Sequence, residues 1–252
     1  MKDKKILITG ASKGLGASLA MALAALDARV VLFARTFDKM EFVRKSCKNP
    51  DNHLSVKVDL LNAIEIQSAI TSATDFLHGI DCIIHCAGGG LGLKEDFIKH
   101  DDFLKLFKLN LGAAAEINRL IIPEMVTRGS GNIVHVGSIA SSESVGSVGY
   151  NSVKAALAAY VRSIGRDLNK FNIVATGILP GAFLAPGNAM DRLSESNPEA
   201  YTQFIKDRLP RKVMGTVEEL IPLILLLCSK DAAMMGGCMV PIDAGEGRTY
   251  LQ

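Results

Sequence analysis

The chain has 252 residues and a nearly balanced charge, with 28 Lys and Arg against 26 Asp and Glu and a formal net charge of +2. This length is sufficient for one large α/β domain whose core needs neither disulfides nor metals. The balanced charge gives no general electrostatic reason to bind nucleic acid or an anionic membrane.

Cysteine usage and hydropathy indicate a cytoplasmic protein. The five cysteines, at positions 47, 82, 86, 228 and 238, are an odd number without metal-ligand spacing, which favours reduced and buried thiols. The N-terminal apolar stretch is interrupted by the glycines of residues 10–16, so we do not expect export. The apolar residues 220–228 are too few to span a bilayer and contain Pro222, so we interpret them as a buried helix.

Seven short apolar and β-branched runs alternate with helix-length segments along the chain. The runs cover residues 5–9, 29–34, 54–58, 82–85, 132–136, 173–178 and 239–242. This alternation is typical of a parallel sheet with helices on both faces. Because no linker, repeat or low-complexity tract divides the sequence, we predict a single α/β domain over residues 1–252, with a doubly wound parallel sheet of about seven strands.

A glycine-rich run joins the first predicted strand to a helix rich in Ala and Leu. Backbone N–H groups and the helix dipole at such a junction can hold a pyrophosphate. Glycine lets the backbone approach the ligand closely, although a tight packing turn would use the same residues. The flanking strand and helix favour dinucleotide binding, as in a Rossmann fold, and the predicted contacts are Gly10, Ser12, Lys13, Gly14, Leu15 and Gly16.

The end of the second strand predicts which dinucleotide is bound. Folds that bind NAD usually place an acid here to hold the ribose 2′-hydroxyl, whereas a 2′-phosphate needs positive charge. Residues 33–36 contain no acid, and Arg35 together with Lys13 could flank a 2′-phosphate. We therefore predict NADP(H) rather than NAD(H), with two solvated surface cations as the alternative.

The ends of the third and fourth strands add further candidates. Asp59 and Leu60 fit a contact with the adenine, but Asp59 equally fits an ordinary N-cap before a helix over residues 62–78. Ala87 and Gly88 lack bulky side chains where a cofactor ribose could lie against the backbone, and a flexible turn is the alternative.

Tyr150 and Lys154 lie four residues apart in a segment with helical apolar spacing, which places them on one face of a helix. A free tyrosine, with a pKa near ~10, is a poor base, so we expect the Lys154 cation to lower the pKa of Tyr150 by about 1–3 units. Ser138, at the end of the fifth strand, could hydrogen-bond a substrate oxygen while Tyr150 transfers its proton. A Tyr packed on a Lys stem and a turn serine are the alternatives.

The sequence disfavours a serine hydrolase and a metalloenzyme. Residues 137–140 read Gly-Ser-Ile-Ala rather than the G-x-S-x-G of a serine nucleophile. The histidines have neither triad placement nor metal-ligand spacing, so we predict no catalytic metal. His85 and His135, which lie in apolar strands, are expected to be core residues with satisfied hydrogen bonds.

Residues 180–210 carry four of the eight prolines and form the least regular stretch of the chain. Such a length is unusual for a structureless loop in a compact domain. We interpret residues 182–210 as a mobile substrate lid, with a variable surface excursion as the alternative.

The glycine-rich run, Ser138, Tyr150 and Lys154, in that order, resemble the short form of the short-chain dehydrogenase/reductase family over nearly the whole chain. Within that family the chain looks most like 3-oxoacyl-acyl-carrier-protein reductases and related carbonyl reductases. The resemblance implies a catalytic tetrad with Asn110, which holds a helix kink and a relay water, and a Lys154 that also binds the nicotinamide ribose. It implies a homotetramer or homodimer built through the helices that carry Asn110 and Tyr150. It also implies nicotinamide-side contacts from Pro180, Gly181 and Phe183.

Two departures from the family pattern affect the cofactor side. Where the family usually has Asn-Asn-Ala-Gly, residues 85–88 read His-Cys-Ala-Gly, which changes a strand-linking hydrogen bond and a ribose contact. Ala185 stands where a threonine commonly contacts the nicotinamide carboxamide. We therefore expect weaker or unusually oriented cofactor binding.

These features predict an NADP(H)-dependent oxidoreductase that acts on a ketone or secondary alcohol, with Tyr150 as general acid or base. The expected partner is this small molecule, without nucleic acid or membrane. A catalytically idle NADP-binding sensor or scaffold is one alternative, which the intact tetrad disfavours. Another is a sugar or polyol oxidoreductase, for which a polar lid gives slight support through Asn188, Asp191, Arg192, Ser194 and Glu195.

Overall fold

The computed structural model describes residues 1–249. Its strands are β1 (Lys5–Thr9), β2 (Arg29–Ala34), β3 (Leu54–Lys57), β4 (Cys82–His85), β5 (Gly131–Val136), β6 (Ile173–Pro180), β7 (Phe183–Leu184), β8 (Gly215–Thr216) and β9 (Met239–Ile242). Seven of them form one parallel sheet in the order β3-β2-β1-β4-β5-β6-β9, and β7 pairs with β8 alone. The predicted doubly wound parallel sheet is therefore confirmed.

Helices cover both faces of this sheet. They are α1 (Gly14–Ala25), α2 (Phe37–Ser46), α3 (Ala63–Leu77), α4 (His100–Phe107), α5 (Ala113–Arg128), α6 (Val148–Leu168), α7 (Ala189–Ser196), α8 (Pro198–Arg208) and α9 (Val217–Leu227). Side chains alternate along a strand, so Ile6 and Ile8 of β1 pack with α1 and α9, whereas Leu7 packs with α3 and α5. Burial on both faces explains the continuous apolar runs in the sequence.

The observed elements differ from the predicted runs by one or two residues at their ends. β5 begins one residue earlier, and β6 continues through Pro180 because its last residues pair with β9. The alternative in which Asp59 caps α3 is wrong. Asn62 is the N-cap of α3 and accepts from the Ile64 N–H at 3.0 Å. Asp59 accepts from the Leu61 N–H, which precedes the helix.

The expectation that residues 182–210, the predicted lid, are irregular is also wrong. Two helices, α7 and α8, account for most of this segment. Asn188 caps α7 and Asn197 caps α8, with side-chain oxygens that accept from Asp191 and Ala200 N–H groups. Pro198 occupies the first turn of α8, where a missing N–H costs nothing. Pro198 therefore marks a helix start, whereas Pro180 ends β6 and Pro210 follows α8.

Other sequence expectations concern the membrane, the thiols and metals. Within residues 1–249 no helix is long and apolar enough to cross a membrane. The predicted helix over residues 220–228 is observed as α9, with Leu220, Ile224 and Leu227 buried. All five cysteines are free thiols, and three of them are buried. In the part of the chain that the structure describes, no cluster of three metal-ligating side chains occurs.

Candidate active site

The predicted site residues converge at one edge of the sheet. The strands β1, β4, β5 and β6 are neighbours in the sheet, and because they are parallel their carboxyl ends meet. The connections diverge between β1 and β4, since β2 and β3 lie on one side of β1 and β4 lies on the other. Ligands of doubly wound sheets bind outside the strand ends at such a switch point. The residues that follow these four strands here are Gly10, Cys86, Gly137 and Gly181.

Two positions of the glycine loop accept no side chain. A Cβ on Gly10, whose φ is +70°, would lie 2.9 Å from the backbone nitrogen of Ala87, closer than real Cβ contacts. A Cβ on Gly16 would lie 2.5 Å from the Gly10 carbonyl oxygen. The loop therefore turns tightly between β1 and α1, a cradle that fits the pyrophosphate of a dinucleotide.

Lys13 joins the glycine loop to the lid, which the sequence did not indicate. It is the N-cap residue of α1 and has no side-chain oxygen, so no side-chain cap occupies the first N–H groups of that helix. Its exposed ammonium donates to the Gly187 carbonyl at 3.1 Å, and Arg192 donates to the same oxygen at 2.6 Å. A Cβ on Gly14 would lie 3.6 Å from the Ala185 Cβ. The start of the lid thus packs against the glycine loop.

The candidates on the adenosine side differ in exposure. Arg35 follows β2 directly and is exposed, as binding of a 2′-phosphate requires. Asp59 is half-buried, and one of its carboxylate oxygens accepts from the Leu61 N–H at 3.0 Å. Leu60 is buried in the core beside α3, so a ligand could meet little more than its backbone.

Asn110 holds the loop that follows β4. It lies in a π-helical turn, Lys108–Gly112, between α4 and α5. Its side chain accepts from the Gly89 N–H and donates to the Gly89 carbonyl, each at 3.0 Å, and also donates to the Leu106 carbonyl. A Cβ on Gly88 would lie 2.8 Å from Asn110 Oδ1 and 3.4 Å from Lys154 Nζ. Gly88 is therefore required by close packing between Asn110 and Lys154.

Tyr150 and Lys154 lie in the first two turns of α6, as predicted. Lys154 is only 4% exposed, and its ammonium donates to the Val136 carbonyl at 3.0 Å. The same Nζ atom lies 5.7 Å from the centre of the Tyr150 ring. Ser138 caps the short turn Ile139–Ser141, and its Oγ accepts from the Ala140 N–H at 3.1 Å. The three side chains thus share one site between the end of β5 and the start of α6.

Burial governs the protonation of this pair. It raises the pKa of Tyr150, and the Ser138 hydroxyl opposes the shift by a side-chain hydrogen bond. Burial also lowers the pKa of Lys154 to about 8. The expectation that Lys154 lowers the pKa of Tyr150 is therefore wrong for the protein by itself, because loss of solvent around the phenol dominates and the opposing effect comes from Ser138.

A buried polar cluster lies beside Lys154 on the α5 and α6 face of the sheet. His85 Nε2 contacts Asn118 Oδ1 at 2.9 Å, and Asn118 Nδ2 donates to the Tyr160 hydroxyl at 3.1 Å. The rings of His85 and His135 stack with their centres 4.6 Å apart. Neither ring nitrogen of His135 has a partner among residues 1–249. The prediction of a satisfied core residue thus agrees with the contacts of His85 but is wrong for His135.

His85 and Cys86, the two residues at which residues 85–88 depart from the family pattern, have different contacts. His85, at the first position, bonds to α5 through Asn118 rather than to a neighbouring strand. Cys86 is half-buried, and burial raises the pKa of its thiol to about 12. Its side chain packs with the core on the α1 face. Cys86 is therefore a neutral thiol next to the glycine loop.

The turn after β6 is held by a residue that the motifs do not reveal. Pro180 is buried, and Gly181 and Phe183 are half-buried at the entrance of the lid. The Ala182 N–H donates to Glu246 Oε2 at 2.6 Å. Glu246 lies 64 residues after Ala182 in the sequence, outside any catalytic spacing pattern. The sequence therefore gives no signal for this contact. Asn118 was missed for the same reason.

Sequence comparison identifies relatives with this architecture. The family described as short chain dehydrogenase matches residues 4–196. The 7alpha-hydroxysteroid dehydrogenase of Escherichia coli K12 is 28% identical over 247 residues, covering 97% of this chain and 94% of the relative. A 3-oxoacyl-acyl-carrier-protein reductase of Aquifex aeolicus is 25% identical over 251 residues, covering 97% and 98%.

Solved structures agree with this assignment. Levodione reductase superposes with a TM-score of 0.91 at 25% identity, covering 99% of this chain and 100% of the other. L-Sorbose reductase from Gluconobacter frateurii, solved with NADPH and L-sorbose, gives 0.89 at 26% identity, covering 99% and 98%. A 7 alpha-hydroxysteroid dehydrogenase solved with NADH gives 0.88 at 27% identity, covering 100% and 97%. The chain therefore belongs to the short-chain dehydrogenase family, oxidoreductases that act on hydroxyl or ketone groups with a nicotinamide cofactor.

Proposed function

We propose that this chain is an NADP(H)-dependent ketone reductase or secondary alcohol dehydrogenase in which Tyr150 transfers the proton. The observation that carries the proposal is the grouping of Ser138, Tyr150 and Lys154 at the sheet edge next to the glycine cradle. When bound, the cofactor supplies or accepts the hydride at its nicotinamide ring.

Ser138 and Tyr150 have different roles toward the substrate oxygen. Ser138 Oγ accepts from the Ala140 N–H, so its own hydrogen is available to donate to a carbonyl oxygen. A raised pKa keeps Tyr150 protonated near neutral pH, which suits proton donation to the developing alkoxide during reduction. In the oxidation direction the same phenol oxygen must receive the proton.

Lys154 and Asn110 hold the framework of the site. The Lys154 ammonium is fixed against the Val136 carbonyl, where it supplies positive charge and a donor for a cofactor ribose. Asn110 fixes residues 88–89 beside it through bonds to both backbone groups of Gly89. The glycine loop and Lys154 would hold the cofactor, and Ser138 and Tyr150 would contact the substrate oxygen.

Cofactor choice rests on the end of β2. Exposed Arg35 directly follows β2, at the position where an acid would select NAD. Lys13 lies in the glycine loop after β1. The Arg35→Glu variant should lose its preference for NADPH and turn toward NADH, because a carboxylate repels the 2′-phosphate and accepts from a 2′-hydroxyl. The measurement is the ratio of kcat/KM for the two cofactors. Lys39→Glu, an equal charge change at an exposed position of α2, is the control, and an unchanged ratio in Arg35→Glu would reject the NADP(H) assignment.

The lid is proposed to cover the substrate. No residue within α7 or α8 is buried, so this pair of helices has little core to hold it in place. Its attachment to the glycine loop through the Gly187 carbonyl would bring it over the cofactor. Two of the polar lid residues that favoured a sugar substrate, Asn188 and Asp191, form hydrogen bonds within the lid. Asn188 accepts from the Asp191 N–H, and Asp191 accepts from the Gly187 N–H. We therefore favour a ketone substrate over a sugar.

Self-association is proposed through the α4 and α6 side of the molecule. Exposed apolar side chains occur on α4, just before it and at the start of α6, and exposed apolar surface is a feature of protein interfaces. A homodimer or homotetramer would bury them, and sedimentation equilibrium of the purified chain would detect it. The residues concerned are Phe97, Leu104, Phe107 and Val148.

The activity is tested by consumption of NADPH with a panel of ketones, 3-oxoacyl thioesters and oxidised sugars. Turnover of a ketone or thioester supports the proposal. Turnover of oxidised sugars alone would favour the sugar oxidoreductase. NADPH binding without any turnover would favour an idle sensor.

A further inference from the structure

Glu246 is a buried carboxylate that the reaction itself does not use. It follows β9 and is only 6% exposed. Its backbone N–H donates to the Asp243 carbonyl, and the Asp243 side chain accepts from the N–H groups of Gly245 and Gly247. These hydrogen bonds hold the turn that carries Glu246 independently of the Glu246 side chain.

The Glu246 side chain binds the lid near both of its ends. At the entrance, Oε2 accepts from the Ala182 N–H at 2.6 Å. At the exit, Oε1 lies 3.3 Å from Nη2 of Arg208, the last residue of α8. A Cβ on Gly181 would lie 2.7 Å from Glu246 Oε2, so the carboxylate also packs closely against the turn after β6. One side chain thus contacts both segments at which the lid joins the sheet.

The same C-terminal stretch, residues 243–249, also contacts the other side of the cleft. Glu143, five residues after Ser138, accepts from the N–H groups of Arg248 and Thr249 at 2.6 and 3.1 Å. Residues 243–249 therefore form a strap between the loop that follows the catalytic serine and the two ends of the lid.

We propose that Glu246 is a positioning residue that sets the lid relative to the turn after β6 and thereby controls substrate binding. The proposal deepens the function proposed above and rests on it. A buried carboxylate held by a backbone N–H and a guanidinium forms strong charge-assisted hydrogen bonds. Without them, α7 and α8, which have no buried residue of their own, lose the anchor at each end.

Three variants separate the contacts. Glu246→Gln keeps an oxygen for the Ala182 N–H but loses the charge toward Arg208. Arg208→Gln removes the guanidinium alone, and Glu246→Ala removes both contacts. If Arg208 acts through Glu246, the double variant Arg208→Gln with Glu246→Gln should lose little more than either single variant. Glu199→Gln, an exposed change in the first turn of α8, is the matched control.

Steady-state kinetics test the effect on substrate. The KM for the ketone should rise by roughly tenfold or more in Glu246→Ala, which loses both hydrogen bonds of the carboxylate. The change in kcat should be smaller, because Ser138, Tyr150 and Lys154 are untouched. An equal loss of kcat at unchanged KM would overturn the proposal.

Amide hydrogen exchange tests the anchor independently of turnover. Exchange over residues 189–208 should quicken by roughly tenfold in Glu246→Ala, with a smaller increase in Glu246→Gln and Arg208→Gln and none over α5. If the wild-type chain turns over no ketone, the proposed function fails, but this measurement still decides the role of Glu246. Unchanged lid exchange in folded Glu246→Gln and Arg208→Gln variants would overturn the anchor.

Discussion

At the scale of single residues, burial sets the protonation of Tyr150 and Lys154, on which the proposed proton transfer depends. The pKa of Tyr150 is raised and that of Lys154 is lowered to about 8, both chiefly by loss of solvent. Near neutral pH the phenol keeps its proton and the lysine keeps its charge. These protonation states fit the proposed reduction, in which Tyr150 would act as an acid.

The pH dependence of reduction follows from these shifts. Lys154 loses its charge as the pH rises through about 8, so kcat/KM for a ketone should fall above that pH by about tenfold per unit. Lys154→Arg keeps its charge to a pKa above ~12, and any activity it retains should fall only at higher pH. A wild-type profile that is flat or rising from neutral pH to about pH 10 would be inconsistent with a required Lys154 cation.

The buried histidines predict acid sensitivity. Burial lowers the pKa of His85 to about 4 and that of His135 well below its usual value. Unfolded imidazoles titrate near ~6.5, so the unfolded chain binds more protons below that pH, and the free energy of unfolding falls as the pH drops from about 6.5 to about 4. From its shift, His85 alone contributes roughly 3 kcal/mol to this loss.

The variant His135→Leu tests this linkage. It removes one buried imidazole and its two ring nitrogens, which lack partners within residues 1–249. Between about pH 7.5 and about pH 4.5 it should lose less unfolding free energy than the wild type, as measured by urea denaturation. His100→Leu at an exposed site is the control. Identical losses in wild type and His135→Leu would show that His135 does not titrate as its burial requires.

At the scale of elements, the strands of the main sheet were predictable to within two residues because they are short and mostly apolar, and those in the middle of the sheet, such as β4 and β6, are buried on both faces. The lid helices were not predicted. α7 and α8 have only 8 and 11 residues, mostly polar and none buried, so they give a weaker helical signal than the longer and more apolar helices of the core. The sequence signals of these helices are their caps, Asn188 and Asn197, and Pro198 in the first turn of α8.

The dependence of α7 on its cap gives a prediction at this scale. Asn188 accepts from the Asp191 N–H and donates to the Phe183 carbonyl at 2.7 Å. Asn188→Ala should lower the local stability of α7 by about 1 kcal/mol, which quickens its amide exchange roughly fivefold. The melting temperature of the domain should change little, because the lid opens separately from the core. A lower melting temperature with unchanged lid exchange would contradict this separation.

At the scale of the whole molecule, strand order brings the site together. The order β1-β4-β5-β6 joins the ends of strands that are far apart in sequence. Motif spacing predicted Tyr150 with Lys154, because four residues on a helix fix their geometry, and strand ends predicted Ser138 and the glycine loop. The contacts of Lys13 with Gly187 and of Glu246 with Ala182 depend on loops that meet only in the folded chain. No local pattern in the sequence specifies them.

Proton transfer by Tyr150 is the central claim, and Tyr150→Phe tests it most directly. This change removes one hydroxyl and keeps the ring beside Lys154. We predict that kcat for ketone reduction falls by about 10²–10⁴-fold while the dissociation constant for NADPH stays close to the wild-type value. Tyr160→Phe, the same change further along α6, should retain most of the activity. Turnover by Tyr150→Phe at the wild-type rate would contradict the mechanism.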